Sequence, residues 1–447
     1  VEVLSERLGP NLELTSAWTR YNFHKPQWEL WEDAVRFKVV PAGRGSGKTD
    51  LAKRKLVSSL IVDPLSELTK IRRYFYGGPT WQQAKRVAWR DLLSMIPKSW
   101  IDEVSQSELC VRTKYGSELW VVGLDKPERV EGVQWNGGIL DESCDLRPKI
   151  FDLNILPALS WNRGWCWRIG VPKRSGPSAI EYREYFDNAM AGKIPEAKAY
   201  TWPSSDVVSR DLLEYARKTL DPKDYAEQFD AMFQTAGGGI YYCYDDRENI
   251  RRCTYDPLLP LIVGSDFNVD PLAWIIGQRR GEVLEWFDEI WLRDATTPDA
   301  LNTLWAKYGT HRGGFQFFGD ASSKSRHSSS AETDYAHIFN DERFRRAGRI
   351  VRYPRDNPAL KDRYASTNAM FKNADGIRRM FVDPACINLR KDLLSRSYKP
   401  GTCVPDDRSK DVGHIADAMD YAVWMLFPIQ FGVEQEFGEI YISERAA

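Results

Sequence analysis

Short apolar runs alternate with helical patterns through the first part of this chain: Phe37 to Val40, Tyr74 to Tyr76, Leu119 to Leu124, Gly138 to Leu140 and Cys166 to Gly170. Brief buried strands separated by helices predict an open, largely parallel α/β sheet. Residues 206 to 234 read as helical and polar, and Thr235-Ala236-Gly237-Gly238-Gly239 breaks that pattern, which places a domain junction there. Beyond it, Leu261 to Asp266, Leu272 to Gly277 and Val283 to Ile290 are three consecutive strand-like runs split by Asn268-Val269-Asp270-Pro271 and Arg279-Arg280-Gly281-Glu282, the pattern of an antiparallel meander. Thr297-Pro298 then predicts an N-cap with proline at the first helical position. Another strand, Phe315 to Phe318, and helices near 361 to 373, 385 to 396 and 414 to 426 follow. The expected division is 1–204, a linker subdomain 205–236, 237–430, and a tail 431–447.

The first run, Val35 to Val40, leads into Pro41-Ala42-Gly43-Arg44-Gly45-Ser46-Gly47-Lys48-Thr49 and then into the helical spacing Ala52, Leu56, Leu60. A glycine-rich turn between strand and helix is the setting of a phosphate-cradling P-loop. Its backbone N–H groups, from Gly45 through Gly47, would face the β-phosphate of ATP. Lys48 would reach the β/γ-phosphates, and the Thr49 hydroxyl would hold Mg²⁺ at the helix N-terminus. Ala42 stands where such loops usually have their leading glycine, so a fortuitous turn is the competing reading. Downstream, the short run Gly138 to Leu140 ends in Asp141-Glu142. There Asp141 would hold Mg²⁺ through water and Glu142 would polarise the attacking water; the alternative is a strand running into a solvated turn.

Composition narrows the class. The chain has 447 residues, 43% of them hydrophobic and 28% charged, with a formal net charge of −1, which argues against coating nucleic acid through global charge. Seven scattered cysteines, with no Cys-x-x-Cys and no histidine at ligand spacing, indicate neither a disulfide framework nor a zinc site. No apolar run reaches bilayer length and Val1 to Arg7 lacks the pattern of a signal peptide, so no membrane association and a cytosolic location are expected.

With these two elements in place, the chain resembles the large terminase subunit of tailed bacteriophages over about Phe23 to Tyr421. The resemblance is carried by His24-Lys25-Pro26-Gln27, Arg44 inside the loop, Pro79-Thr80 with Gln83-Ala84-Lys85, Gly123-Leu124-Asp125-x-Pro127-x-Arg129 leading to Gly132, Ile139 to Glu142, and Ile169-Gly170-Val171-Pro172. It implies an additional-strand, RecA-like P-loop ATPase followed by a ribonuclease H-like nuclease. ATP, Mg²⁺ and optionally Mn²⁺ are the implied cofactors. The implied partners are double-stranded DNA, a portal protein, a small terminase subunit and further copies in a ring, pentameric in the family. The implied setting is the host cytoplasm, docked transiently on a procapsid and absent from the mature virion. Gln27 would read adenine. Val171 departs from the threonine usual before that proline, which puts a hydroxyl coupling role there in doubt. Arg129 reads either as an arginine reaching the γ-phosphate of a neighbouring subunit or as a surface arginine in a salt bridge; Arg44 faces the same choice beside the nucleotide.

In the second half, Asp266 and Asp320 each close an apolar run, and Asp417 lies in a helical stretch. Alone, each reads as an ordinary turn or surface carboxylate. Taken with the resemblance, they are the hard oxygen ligands of a two-metal nuclease, with Asp420 as an accessory ligand one turn later. Glu289 and Asp411 are weaker candidates, and His414 would orient a carboxylate, touch phosphate or be structural. Arg343, Arg345, Arg346, Arg349, Arg352 and Arg355 read either as a surface for DNA phosphate or the portal, or as a solvated face. Glu434 to Ala447, acidic and poor in apolar residues, is expected to fray and in this family can dock on the portal. Two other functions compete: a helicase or translocase whose second domain grips DNA without cutting, and a nucleotide-switched scaffold without turnover.

Overall fold

A computed structural model describes residues 23–61, 71–235, 237–268, 270–321, 333–399, 402–406, 412–429 and 441–442. The chain divides into two units, Val1–Leu213 with Ala226–Thr235, and Glu214–Tyr225 with Ala236–Ala447. The expected linker segment 205–236 is thus shared between them; it carries helices at Arg210–Thr219 and Pro222–Gln228.

The first unit is built on an eight-stranded sheet: β1 (Phe37–Pro41), β2 (Arg72–Gly78), β3 (Ile101–Ser105), β4 (Cys110–Thr113), β5 (Ser117–Gly123), β6 (Gly137–Leu140), β7 (Trp165–Gly170) and β8 (Ala197–Ala199). Their order is β3-β4-β5-β2-β6-β7-β1-β8. From β5 to β8 every pairing is parallel, and β3 and β4 add an antiparallel edge. β7 lies between the P-loop strand β1 and the acidic strand β6, which is the additional strand the resemblance implied. Parallel strands covered on both faces are apolar on both faces. Tyr74 and Tyr76 of β2 accordingly face one cluster and Phe75 the other. Helices α1 (Lys25–Glu32), α2 (Lys48–Ser59) and α3 (Pro177–Met190) belong to this unit.

The second unit holds a seven-stranded sheet of β9 (Leu261–Asp266), β10 (Leu272–Arg280), β11 (Val283–Leu292), β12 (Phe315–Phe318), β13 (Arg349–Arg352), β14 (Met380–Val382) and β15 (Tyr441–Ile442). The meander β9-β10-β11 is antiparallel as expected. β12 and β13 then add in parallel on the other side of β9, giving β14-β11-β10-β9-β12-β13-β15, a ribonuclease H-like order. Leu261 and Val263 face one core cluster and Ile262 the other, so β9 is central. Helices α4 (Thr297–Tyr308), α5 (Leu360–Phe371), α6 (Ile387–Ser395) and α7 (His414–Leu426) complete the unit. α4 starts one residue earlier than the sequence suggested. Its N-cap is Thr296, which exchanges hydrogen bonds with Asp299 in a capping box. In the expected tail, Tyr441–Ile442 pair antiparallel with β13, a local departure from fraying; the rest of 434–447 lies outside the described residues. Among the described residues no helix is long and apolar enough to cross a membrane.

Candidate functional site

Each unit gathers one set of predicted residues. In the first, the chain leaves β1 and turns through Gly45 and Gly47 at positive φ, the latter as N-cap of α2, a backbone that a side chain at Cβ would strain. The loop is held from its protein side. Trp202 O accepts from Gly43 N at 3.0 Å, Gln228 O from Arg44 N at 2.6 Å, and Ser204 Oγ donates to Arg44 O at 2.7 Å. Ser46 O accepts from both Trp202 Nε1 at 3.1 Å and Gln27 Nε2 at 3.3 Å. Gln27 is completely buried, so here it braces the loop with the group expected to read adenine.

Lys48 is buried and donates to Gly43 O at 3.4 Å. Burial depresses its pKa, and the charges of Glu142 and Asp141 oppose that shift, as they should if one ammonium faces both acids. Thr49 Oγ1 donates to Asp141 Oδ2 at 3.2 Å, and the Tyr76 hydroxyl from the end of β2 bonds the same oxygen. A hydroxyl and a carboxylate side by side fit Mg²⁺ in kind. Glu142 sits in the left-handed region, φ 48° and ψ 51°, and backbone strain of this kind in a glutamate is costly and concentrated at functional positions. Burial and the neighbouring Asp141 charge raise its pKa, while Lys48 opposes. Arg129, about a third exposed, donates to Gly123 O and to Asp125 Oδ1, both at 3.2 Å, so its guanidinium is held within its own subunit. Arg44 is exposed, and its charge bears on Lys48. Val171 is buried, as expected of an apolar residue where a hydroxyl was in doubt.

In the second unit, β9 and β12 pair with Gly264 opposite Phe318, so Asp266 and Asp320, each two residues further on, emerge side by side. α7 lies directly on β9: a Cβ on Gly264 would fall 2.4 Å from Ala418 O, so only glycine admits that approach. This brings Asp417 toward the same end. The charges of Asp320, Asp417 and Asp266 all bear on the Tyr421 hydroxyl, whose pKa is pushed up to about 12, chiefly by burial. Asp266 Oδ2 accepts from Asn268 Nδ2 at 2.9 Å and lies 3.0 Å from His414 Nδ1. Burial raises the Asp266 pKa, and the His414 hydrogen bond opposes. His414 thus lies against the Asp266 carboxylate, with Asn268 Nδ2 3.0 Å from the same ring nitrogen.

The trio is acidic and oxygen-rich, which fits Mg²⁺ or Mn²⁺ in kind. It does not fit in arrangement: among the described residues no three His, Cys, Asp or Glu side chains are placed to hold a metal. Asp417 is paired with two arginines. Its oxygens receive Arg396 Nη1 at 2.9 Å and Nη2 at 3.0 Å, and Arg363 Nη1 lies 3.5 Å from Oδ1. Asp420, expected as an accessory ligand, is otherwise engaged. It is fully buried, with Tyr241 OH donating at 2.8 Å and Thr367 Oγ1 at 2.6 Å, and burial together with the Asp417 charge raises its pKa to about 7. Glu289 caps α6, accepting from Asn388 N at 2.9 Å and Leu389 N at 3.2 Å. Asp411 lies outside the described residues.

The arginine series is divided between local ion pairs and buried contacts. Arg343 pairs with Asp341 at 2.7 Å, Arg345 and Arg346 with Glu342 at 2.5 and 3.9 Å, Arg349 is buried against the carbonyls of Phe339 and Asp341, and Arg352 lies over Phe318. Sequence reasoning missed Tyr76, Trp202, Ser204, Arg363 and Arg396. Tyr76 lies within β2 opposite Ile139 of the neighbouring strand that leads to Asp141, a pairing only the fold reveals.

No family model and no curated protein matches the sequence. Solved structures do. The large terminase of the thermophilic bacteriophage D6E matches with a TM-score of 0.56 and 14% identity, over 91% of this chain and 99% of that one. Its complex with ADP matches with a TM-score of 0.55 and 16% identity over the same shares, and its complex with ATP-gamma-S with a TM-score of 0.55 and 16% identity over 91% and 100%. At such identity the likeness is one of fold, and nearly the whole of both chains shares it: this protein has the two-sheet α/β fold of a phage large terminase.

Proposed function

We propose that the chain is a viral DNA-packaging motor: residues 1–204 hydrolyse ATP to move double-stranded DNA into a procapsid, 205–236 link, and 237–430 cut concatemeric DNA when packaging starts and ends. The observation that carries this reading is the assembled first site, with Thr49 3.2 Å from Asp141 and Glu142 held in a strained backbone beside them, within a chain of large-terminase fold. The complexes of the D6E protein with ADP and ATP-gamma-S support ATP as the nucleotide here.

In this reading the N–H groups of Gly45 to Gly47 cradle the β-phosphate and Lys48 neutralises the β/γ-phosphates. Thr49 and Asp141 would hold Mg²⁺, which when bound supplies charge neutralisation on the phosphate oxygens. Glu142, its pKa raised by burial, accepts a proton from the attacking water. Arg129 leaves Asp125 to reach the γ-phosphate of the next subunit, and Arg44 senses the nucleotide in its own. Asp266, Asp320 and Asp417, hard oxygen donors of the kind Mg²⁺ and Mn²⁺ take, are the residues this reading assigns to phosphodiester cleavage. The partners are DNA, a portal protein, a small terminase subunit and a ring of further copies, probed in host cytoplasm on procapsids.

The hold of Arg396 on Asp417 favours a second reading, a translocase whose second domain grips DNA without cutting it. Incubating the protein with plasmid and Mn²⁺, with and without Asp266→Ala, separates the two. The motor reading expects cutting that Asp266→Ala abolishes and ATP turnover that it spares; turnover without any cutting establishes the translocase.

A further inference from the structure

Resting on the nuclease reading, we propose that Arg396 and Arg363 are positioning residues of the acidic site: they hold Asp417 as a built-in countercation, which a divalent metal must displace before Asp417 joins Asp266 and Asp320. Three elements shape this hold. Arg396 follows α6 and presents a bidentate fork to both oxygens of Asp417, at 2.9 and 3.0 Å, the planar match that guanidinium and carboxylate make best. Arg363 comes from α5, lies 4.2 Å over the Tyr421 ring and reaches the same carboxylate. Both arginine side chains are buried, 7% and 6% exposed, whereas Asp417 is 27% exposed. The carboxylate is therefore open to solvent while its cations are fixed.

The third element is the entry to α7. Gly413 takes φ 106°, and a Cβ there would fall 2.9 Å from Arg396 Cζ. The backbone gives way to the guanidinium just where it passes toward Asp417. The same pairing accounts for the missing metal arrangement. Three carboxylates converging without a cation repel one another, and turning one of them onto a fixed positive charge relieves that repulsion. A metal arriving at Asp266 and Asp320 must then compete with two buried guanidinium groups for its third ligand. The hold thus sets how much metal the site needs before it closes.

The test is Mn²⁺ binding to the full chain by calorimetry, free of nucleotide and in an Asp141→Asn background that silences the other carboxylate. Arg396→Met is expected to tighten Mn²⁺ binding at least tenfold. Arg396→Lys, which keeps a charge but not the fork, should tighten it by less. An Arg396→Met protein that binds Mn²⁺ no tighter than its parent overturns the proposal. If Arg396→Met fails to fold by circular dichroism, Arg396→Lys decides: any tightening supports the hold and none refutes it. Asp266→Asn in the same background should lose the Mn²⁺ site; if it binds as the parent does, the metal-nuclease reading fails, and with it the basis of the proposal.

Discussion

The first unit brings Lys48, Thr49 and Asp141 together around one loop, whereas in the second one of the three candidate acids, Asp417, is paired with two arginines. Thr49 and Asp141 stand 3.2 Å apart because one sits at the start of α2 and the other at the end of β6, strands and helix of one sheet layer whose backbone fixes both. Lys48 is the buried cation there, facing Asp141 and Glu142. In the second unit the cations are Arg396 and Arg363, which pair with Asp417. Both sites join distant segments, but in the first the countercharge to the acids is part of the glycine-rich loop itself, whereas in the second it comes from helices outside the acidic trio.

Breaking the first site should have the largest effect. Glu142→Gln keeps the shape of the side chain and removes the proton acceptor, so steady-state ATP turnover should fall by about 10²–10⁴-fold with nucleotide still bound. A turnover assay with a fluorescent-nucleotide binding control reads both. Undiminished turnover would remove Glu142 from the mechanism.

The second unit should respond in stability. Asp420 has its pKa raised to about 7, so between about pH 4 and pH 7 the folded state keeps a proton that the unfolded chain has released. Stability therefore falls as pH rises through that window and levels off above it. Asp420→Asn removes the buried charge. Relative to the parent in EDTA, it should gain up to about 4 kcal/mol at pH 8 and little near pH 4. Denaturant melts at the two pH values check this, and an equal change at both would show that Asp420 is not the titrating group.

A smaller effect sharpens the contrast at Tyr76, whose hydroxyl bonds the Asp141 carboxylate. Tyr76→Phe should lower turnover about tenfold at limiting Mg²⁺, the worth of one hydrogen bond to a charged group at about 1.5 kcal/mol. Excess Mg²⁺ should restore most of it. A loss that Mg²⁺ does not repair would assign Tyr76 to packing.

The same contrast governs what the sequence disclosed. The P-loop, the acidic strand end, the meander and the strand-end placement of Asp266 and Asp320 were legible because each depends on local periodicity and a turn. β3 and β4 were not, since Ile101–Ser105 and Cys110–Thr113 are short and partly polar, as edge strands can be. β13 hid within the arginine series because Arg349 buries its stem and pairs with backbone carbonyls. Asp420 read as a ligand by helical spacing, but only the packing of Tyr241 and Thr367 against α7 reveals its buried hydroxyl partners. The hold on Asp417 joins residues 21 and 54 positions apart, a distance over which side-chain pattern carries no signal.

The central claim is that two separate chemistries reside in two units. It is tested most directly by measuring ATP turnover and Mn²⁺-dependent plasmid cutting in parallel on Lys48→Ala and Asp320→Asn. Lys48→Ala should lose turnover and retain cutting, and Asp320→Asn should lose cutting and retain turnover, each with an unchanged circular dichroism spectrum. Undiminished cutting by Asp320→Asn, or loss of both activities in either natively folded variant, would contradict it.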